Sequence, residues 1–130
     1  MSAPGVDEPD LDTFDRLVRS AYAGLPAAFR ALCGNVVIHV AQEAERELLD
    51  EMGIADPLEL SGLFEGVEFG AAEEALPNHV HLYRRSIMAE WRQTRGLSLE
   101  DLITHVLVHE IGHHFGLSDE DMHAIEEAAE

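Results

Sequence analysis

The residues best suited to chemistry lie near the carboxyl end, where positions 109–119 carry the string HEIGHHFGLSD. His109 and His113 are four residues apart, so on a helix both imidazoles project from one face. Two imidazoles fixed one turn apart can bind a zinc ion at about 2.0–2.1 Å. Glu110 follows the first histidine and can take a proton from a metal-bound water, whose pKa zinc lowers to about 7. The string therefore predicts a zinc site equipped for hydrolysis.

A third zinc ligand is predicted just beyond this helix. Gly116 lets the chain turn with a positive φ, and Asp119 follows at a distance from which its carboxylate can return to the metal. The alternative for Asp119 is an ordinary first-turn carboxylate that interacts with a helix dipole. The spacing between Gly116 and Asp119 favours the role of Asp119 as a zinc ligand. Glu126, Glu127 or a water molecule remains an alternative third ligand, the two glutamates from a later helix.

The string resembles the metal motif of the zincins, with the spacing of the metzincins and Asp in the place of the third ligand. Over most of its length the chain is similar to a family of short bacterial proteins, the minimal zincin-like metallopeptidases. The segments that carry this resemblance are LPAAFR, NVVIHV, GLFEGV, HVHLYRRSI and VLVHEIGHHFGLSDEDM. The resemblance implies a small α+β fold, in which a short mixed sheet packs on the active-site helix with further helices around it.

The resemblance also implies a function. Carried over residue by residue, it makes His109, His113 and Asp119 the ligands of Zn²⁺ and Glu110 the general base. The expected reaction is hydrolysis of a peptide bond in a peptide or protein substrate. Metzincins place a methionine in a separate turn beneath the zinc, whereas Met122 lies inside a predicted helix and is not assigned that role.

Two other functions remain open. Few residues follow Asp119 in this sequence, so the lower wall of a full protease cleft is expected to be missing. This favours a non-catalytic metal-binding or protein-interaction domain, or a partner protein that completes the cleft. Zinc endoribonucleases share the spacing of two His, Gly and a third ligand, but their third ligand is His and they lack the Glu. Glu110, Asp119 and the acidic charge count against that class.

Charge and composition exclude further classes. Eight Lys and Arg stand against 26 Asp and Glu, a formal charge of −18, which repels a phosphate backbone, so no nucleic-acid partner is expected. Cys33 is the single cysteine, which excludes an intrachain disulfide and a Cys-rich zinc knuckle, and it is expected to be a buried apolar side chain. No apolar run is long enough to span a bilayer.

The chain is expected to form one domain over residues 11–130, preceded by a flexible acidic arm over residues 1–10. The arm has neither the basic start nor the apolar stretch of a secretory signal, so a cytoplasmic protein without membrane contact is expected.

Hydrophobic periodicity predicts the elements that hold the motif. Helices are expected over 11–21, 27–32, 42–52 and 87–95, from Ser98 as N-cap to Gly116, and from Ser118 to the end. Strands are expected over 35–41, as a buried strand, in LFEGVEF and in HVHLYRRSI. In the helix over 42–52, inward side chains are expected at Leu48, Leu49 and Met52.

For the other histidines, structural roles are weighed against roles at the metal. His105 is either an outer partner of a ligand or an ordinary helix histidine, which is favoured, and His123 is a weaker candidate for approaching the metal. His114 is expected to be partly buried, and structural or surface roles are expected of His39, His79 and His81. Tyr83, Arg84 and Arg85 are placed on a strand beside the cleft, where an extended peptide could add. Sheet packing and solvation are the simpler explanations for these three.

Overall fold

The computed structural model describes residues 8–66 and 77–130. Within these ranges the chain forms helices α1 (Leu11–Ala23), α2 (Ala27–Cys33), α3 (Arg46–Met52), α4 (Arg84–Gln93), α5 (Leu99–His114) and α6 (Asp119–Ala128), a short 3₁₀ helix (Pro57–Glu59), and strands β1 (Val36–Ala41), β2 (Gly62–Glu65) and β3 (Asn78–Tyr83). The predicted α+β class is confirmed. None of the described helices has the length and apolar character needed to cross a membrane.

The strands form one mixed sheet in the order β1-β3-β2. The central strand β3 runs parallel to β1, with Val36 opposite Asn78, and antiparallel to β2, with Gly62 opposite Leu82. The strand predicted over 35–41 is confirmed as β1, but its predicted burial is wrong, because β1 lies at an edge and its side chains at Val37 and His39 are exposed.

The core lies between one face of the sheet and α5. Val80 and Leu82 of β3 are buried on this face, because alternate side chains of a strand point to the same side. Helix α1 packs across α5 with Phe14 fully buried. The predicted apolar stripe of α5 is confirmed: the buried side chains are Leu102, Ile103, Val106, Leu107 and Ile111, and Phe115 is partly buried against the core.

Helices α3 and α4 begin at other positions than predicted. The helix expected over 42–52 begins only at Arg46, and Leu49 is buried whereas Met52 is 43% exposed, so the inward placement of Met52 is wrong. Helix α4 begins at Arg84, directly after β3, so the strand expected through HVHLYRRSI ends at Tyr83.

The described part of the predicted arm, residues 8–10, contacts the folded domain. Both carboxylate oxygens of Glu8 accept hydrogen bonds from Arg92, at 2.5 and 2.8 Å, and this pairing lowers the pKa of Glu8. The Pro9 carbonyl accepts from Arg84 at 2.7 Å, and Asp10 caps α1 by accepting from the Thr13 N–H. The rest of the arm, residues 1–7, lies outside the described residues.

The structural explanation of Cys33 is confirmed. Its side chain is fully buried in the core, and its thiol donates a hydrogen bond to the Phe29 carbonyl at 3.2 Å. Burial raises the pKa of this thiol, which keeps it in the unreactive protonated form.

Candidate metal centre

The motif residues lie on a helical hairpin formed by α5 and α6. The Ser98 side chain caps α5 by accepting from the Asp101 N–H, as predicted. Gly116 has a φ of +73°, and the Leu117 N–H donates to the Gly112 carbonyl at 2.9 Å, which closes the end of α5. A capping box between Ser118 and Asp121 then starts α6. These contacts return the chain along α5 within a few residues.

The first motif histidine shares a carboxylate with the histidine one turn before it. His109 Nε2 lies 3.0 Å from one oxygen of Glu126, and His105 Nδ1 lies 3.0 Å from the other. The two rings are 4.0 Å apart between centroids. In the described ranges these three side chains form a group whose potential ligand atoms all lie within 4.8 Å of one another. Imidazole nitrogen and carboxylate oxygen are donors that zinc accepts, so the group fits a zinc ion.

The second motif histidine lies on the same side of α5. The ring of His113 is 5.7 Å from the ring of His109, nearly perpendicular to it, and is exposed to solvent. Asp119 is the first residue of α6 and is exposed. The structure thus brings His109 close to His105 and Glu126, with His113 one turn further along, while Asp119 lies outside that group of three.

Glu110 points toward the sheet, where Gly62 leaves room for it. A Cβ at Gly62 would lie 3.2 Å from Cγ of Glu110 and 2.9 Å from the backbone oxygen of His81. Burial raises the pKa of Glu110, and nearby His113 opposes this shift. A half-buried carboxyl therefore lies between strand β2 and the motif histidines. The sequence analysis missed the proximity of Gly62 to Glu110, since glycine gives no sign of which side chain approaches it.

The underside of α5 is closed by α6. Met122 is fully buried, and a Cβ at Gly112 would lie 2.5 Å from its sulfur. The prediction that Met122 lies inside a helix is confirmed. Contact with Met122 sets how closely α6 approaches α5.

We expect Gly112→Val to lower the free energy of unfolding by about 2 kcal/mol, because the added methyl groups overlap Met122 in a packed core. Urea denaturation followed by circular dichroism measures this change. In a Met122→Ala background the same substitution should cost less, since the space is then open. Equal costs in both backgrounds would contradict the contact.

His114 and His123 also lie near the motif. His114 is exposed rather than partly buried, although its ring packs 4.8 Å from the ring of Phe64. His123 pairs with Glu127 at 3.2 Å on the surface. A groove of about 380 Å³ lies beside the hairpin. It is lined by His105 and Glu126, together with Leu97, Leu102 and His123.

The strand expected beside the cleft is also placed differently. Arg84 and Arg85 lie on α4, where Arg85 pairs with Glu43 at 2.7 Å, and β3 has a strand on either side. The strand next to the motif is β2, which carries Gly62 and lies at the edge of the sheet. Alternation of apolar residues reveals a strand but not its neighbours, so the edge could not be assigned from sequence.

A model of the zincin-like metallopeptidase family matches residues 33–129. The matched range includes the whole sheet, α5 and α6. No curated protein matches the sequence.

Proposed function

Because the chain belongs to the zincin-like metallopeptidase family, we propose that it is a zinc-dependent peptidase with Glu110 as general base and His109, His113 and Asp119 as metal ligands. The observation that supports this most directly is the half-buried carboxyl of Glu110 beside the two motif imidazoles. When bound, zinc polarises the substrate carbonyl and makes water more acidic.

Glu110 is suited to move the proton. A general base must lie within hydrogen-bond reach of the proton that it takes, and Glu110 directly follows His109 and lies against strand β2. Its carboxylate would take a proton from the attacking water and return it to the leaving amine. Position 62 supports this role, since Gly62 lets the carboxyl lie against the sheet.

Strand β2 is the proposed docking edge for the substrate backbone. In the described part of the chain, β2 pairs only with β3 and lies next to α5. An extended peptide that adds as a further strand would make main-chain hydrogen bonds there and pass close to Glu110. The formal charge of −18 favours a peptide substrate over a nucleic acid.

The third ligand has two candidates on α6. Asp119 follows the Gly116 turn in the register of the family motif. The observed geometry favours Glu126, because its carboxylate already lies 3.0 Å from His109 Nε2. A metal on that nitrogen must replace the proton that His109 shares with Glu126. We propose Asp119 as the ligand and Glu126 as the group that holds the imidazole when no metal is bound.

Asp119→Asn should therefore weaken zinc binding by about tenfold or more, because a neutral amide replaces a charged ligand. Glu126→Gln is the matched variant and should leave the affinity within a few fold. Competition with a chromogenic chelator measures both affinities. The reverse order of effects would assign the metal to Glu126. The wider test of the function is zinc content together with cleavage of a mixed peptide library.

A further inference from the structure

The groove beside the hairpin is lined by three helices and adjoins the motif. His105 of α5 and Glu126 of α6 line it, and the end of α4 contributes Glu90 and Thr94. The carboxylate of Glu126 also lies 3.0 Å from Nε2 of His109. This groove, of about 380 Å³, is therefore continuous with the proposed metal centre.

Four carboxylates line the groove, and among its described lining residues there is no arginine or lysine to balance them. These carboxylates belong to Glu90, Asp101, Glu126 and Glu127. Glu126 and Glu127 contact histidines, whereas the carboxylates of Glu90 and Asp101 make no hydrogen bond or ion pair within the described residues. A cleft whose walls carry charge of one sign attracts ligands of the opposite sign. The groove therefore favours a cationic ligand.

The lining suits a larger cation than a metal ion. In the described ranges, the group of three potential ligand atoms within 4.8 Å of one another is that of His105, His109 and Glu126, and the other carboxylates of the groove do not belong to it. Two apolar side chains also line the groove, Leu97, which is partly buried, and Leu102, which is buried. Arginine and lysine pack their aliphatic stems on apolar surface and keep the charged end among polar groups. Both parts of such a side chain find a matching surface here.

We propose that this groove binds the side chain of an arginine or lysine next to the bond that is cleaved, a proposal that rests on the peptidase function. His105 lies one helical turn, about 6 Å along the axis, from His109. Glu126 of the groove contacts His109, whereas Glu110 lies against Gly62 of β2. The motif thus lies between the groove and the proposed docking edge. A peptide on β2 would pass the motif, and a long side chain directed across α5 would enter the groove.

Paired fluorogenic peptides test the proposal in the wild-type protein. The peptides of a pair differ at one residue, which is arginine in one and citrulline, its uncharged isostere, in the other. This residue is placed on either side of the scissile bond in turn. We expect kcat/KM to favour arginine by about tenfold at one of the two positions, the combined effect of two exposed ion pairs. Equal cleavage of both peptides at both positions would overturn the proposal and leave the peptidase function standing.

The variant Glu90→Gln/Asp101→Asn removes two charges of the groove. Its preference for arginine over citrulline should fall to about threefold or less. Glu47→Gln/Glu100→Gln is the matched control, since it removes the same formal charge at exposed positions that do not line this groove. The control should keep the preference of the wild type. A preference that survives in the groove variant, or that falls equally in both proteins, would contradict the proposal.

A binding measurement decides the proposal even if the protein cleaves no peptide and the peptidase function fails. Nα-acetyl-arginine methylamide should shift the backbone NMR signals of Leu97 and Thr104, which line the groove. The citrulline compound at the same concentration should not shift them. Glu47 on α3 reports on binding elsewhere on the acidic surface. Unmoved signals of Leu97 and Thr104, or an equal shift at Glu47, would overturn the proposal.

Discussion

Glu110→Gln is expected to reduce kcat/KM for peptide hydrolysis by about a hundredfold to ten-thousandfold, the usual contribution of a general base. Zinc content should stay unchanged, because Glu110 points toward Gly62 of β2 and is not a proposed ligand. Cleavage of a fluorogenic peptide library measures the first quantity, and elemental analysis of the purified protein measures the second.

The fold should tolerate this change. The folded-state pKa of Glu110 is raised above its unfolded value. Ionisation of this carboxyl therefore destabilises the fold as pH rises from the unfolded-state pKa through the folded-state pKa. Glutamine cannot ionise, so at pH 7 the free energy of unfolding of the metal-free protein should not fall. Glu47→Gln, at an exposed position on α3, is the matched control for activity. If Glu110→Gln cleaves as fast as wild type, the peptidase mechanism is wrong.

A wild-type protein that cleaves nothing across a broad library would favour the other function considered, a metal-binding or protein-interaction domain with the same fold. Zinc that this inactive protein binds and that His113→Ala loses would still assign the metal to the motif. Zinc content therefore tests the metal site, and peptide cleavage tests the catalytic activity.

His113→Ala is expected to lower zinc affinity at the motif by more than about a hundredfold, since even changes in residues that only orient ligands cost 10–100-fold. The ring of His113 is exposed, so its loss leaves no cavity in the core. Competition with a chelator, on protein first stripped of metal, measures the affinity.

His105→Ala is the comparison that decides between ligand sets. His105 lies one turn on the other side of His109 and contacts Glu126 rather than His113. The His105→Ala protein should retain most of the zinc affinity of the wild type. Tight binding in His113→Ala together with its loss in His105→Ala would place the ion between His105, His109 and Glu126 instead.

Local patterns predicted the elements around the motif well. The apolar stripe of α5, its cap at Ser98 and the positive φ of Gly116 all follow from residues within one or two turns of each other. The class of the fold and the family follow from the same string and its flanking segments.

What the sequence did not reveal depends on contacts between distant residues. VVIHVA has the composition of a buried strand, yet β1 lies at the edge because the pairing order places β3 in the middle. Arg84 continues a strand by alternation, but the chain turns into α4 there. The contact of Glu126 with His109 requires the packing of α6 under α5, including Met122 against Gly112. Such contacts are not encoded by periodicity.

The short connection between α5 and α6 has a consequence for how zinc affinity can be tuned. Since only a few residues separate the two helices, closing the hairpin costs little chain entropy. The hairpin holds Glu126 of α6 against His109 of α5, at 3.0 Å. Lengthening the turn after Gly116 with flexible residues would loosen α6 without altering a proposed ligand, and the proposed zinc affinity should then decline with linker length.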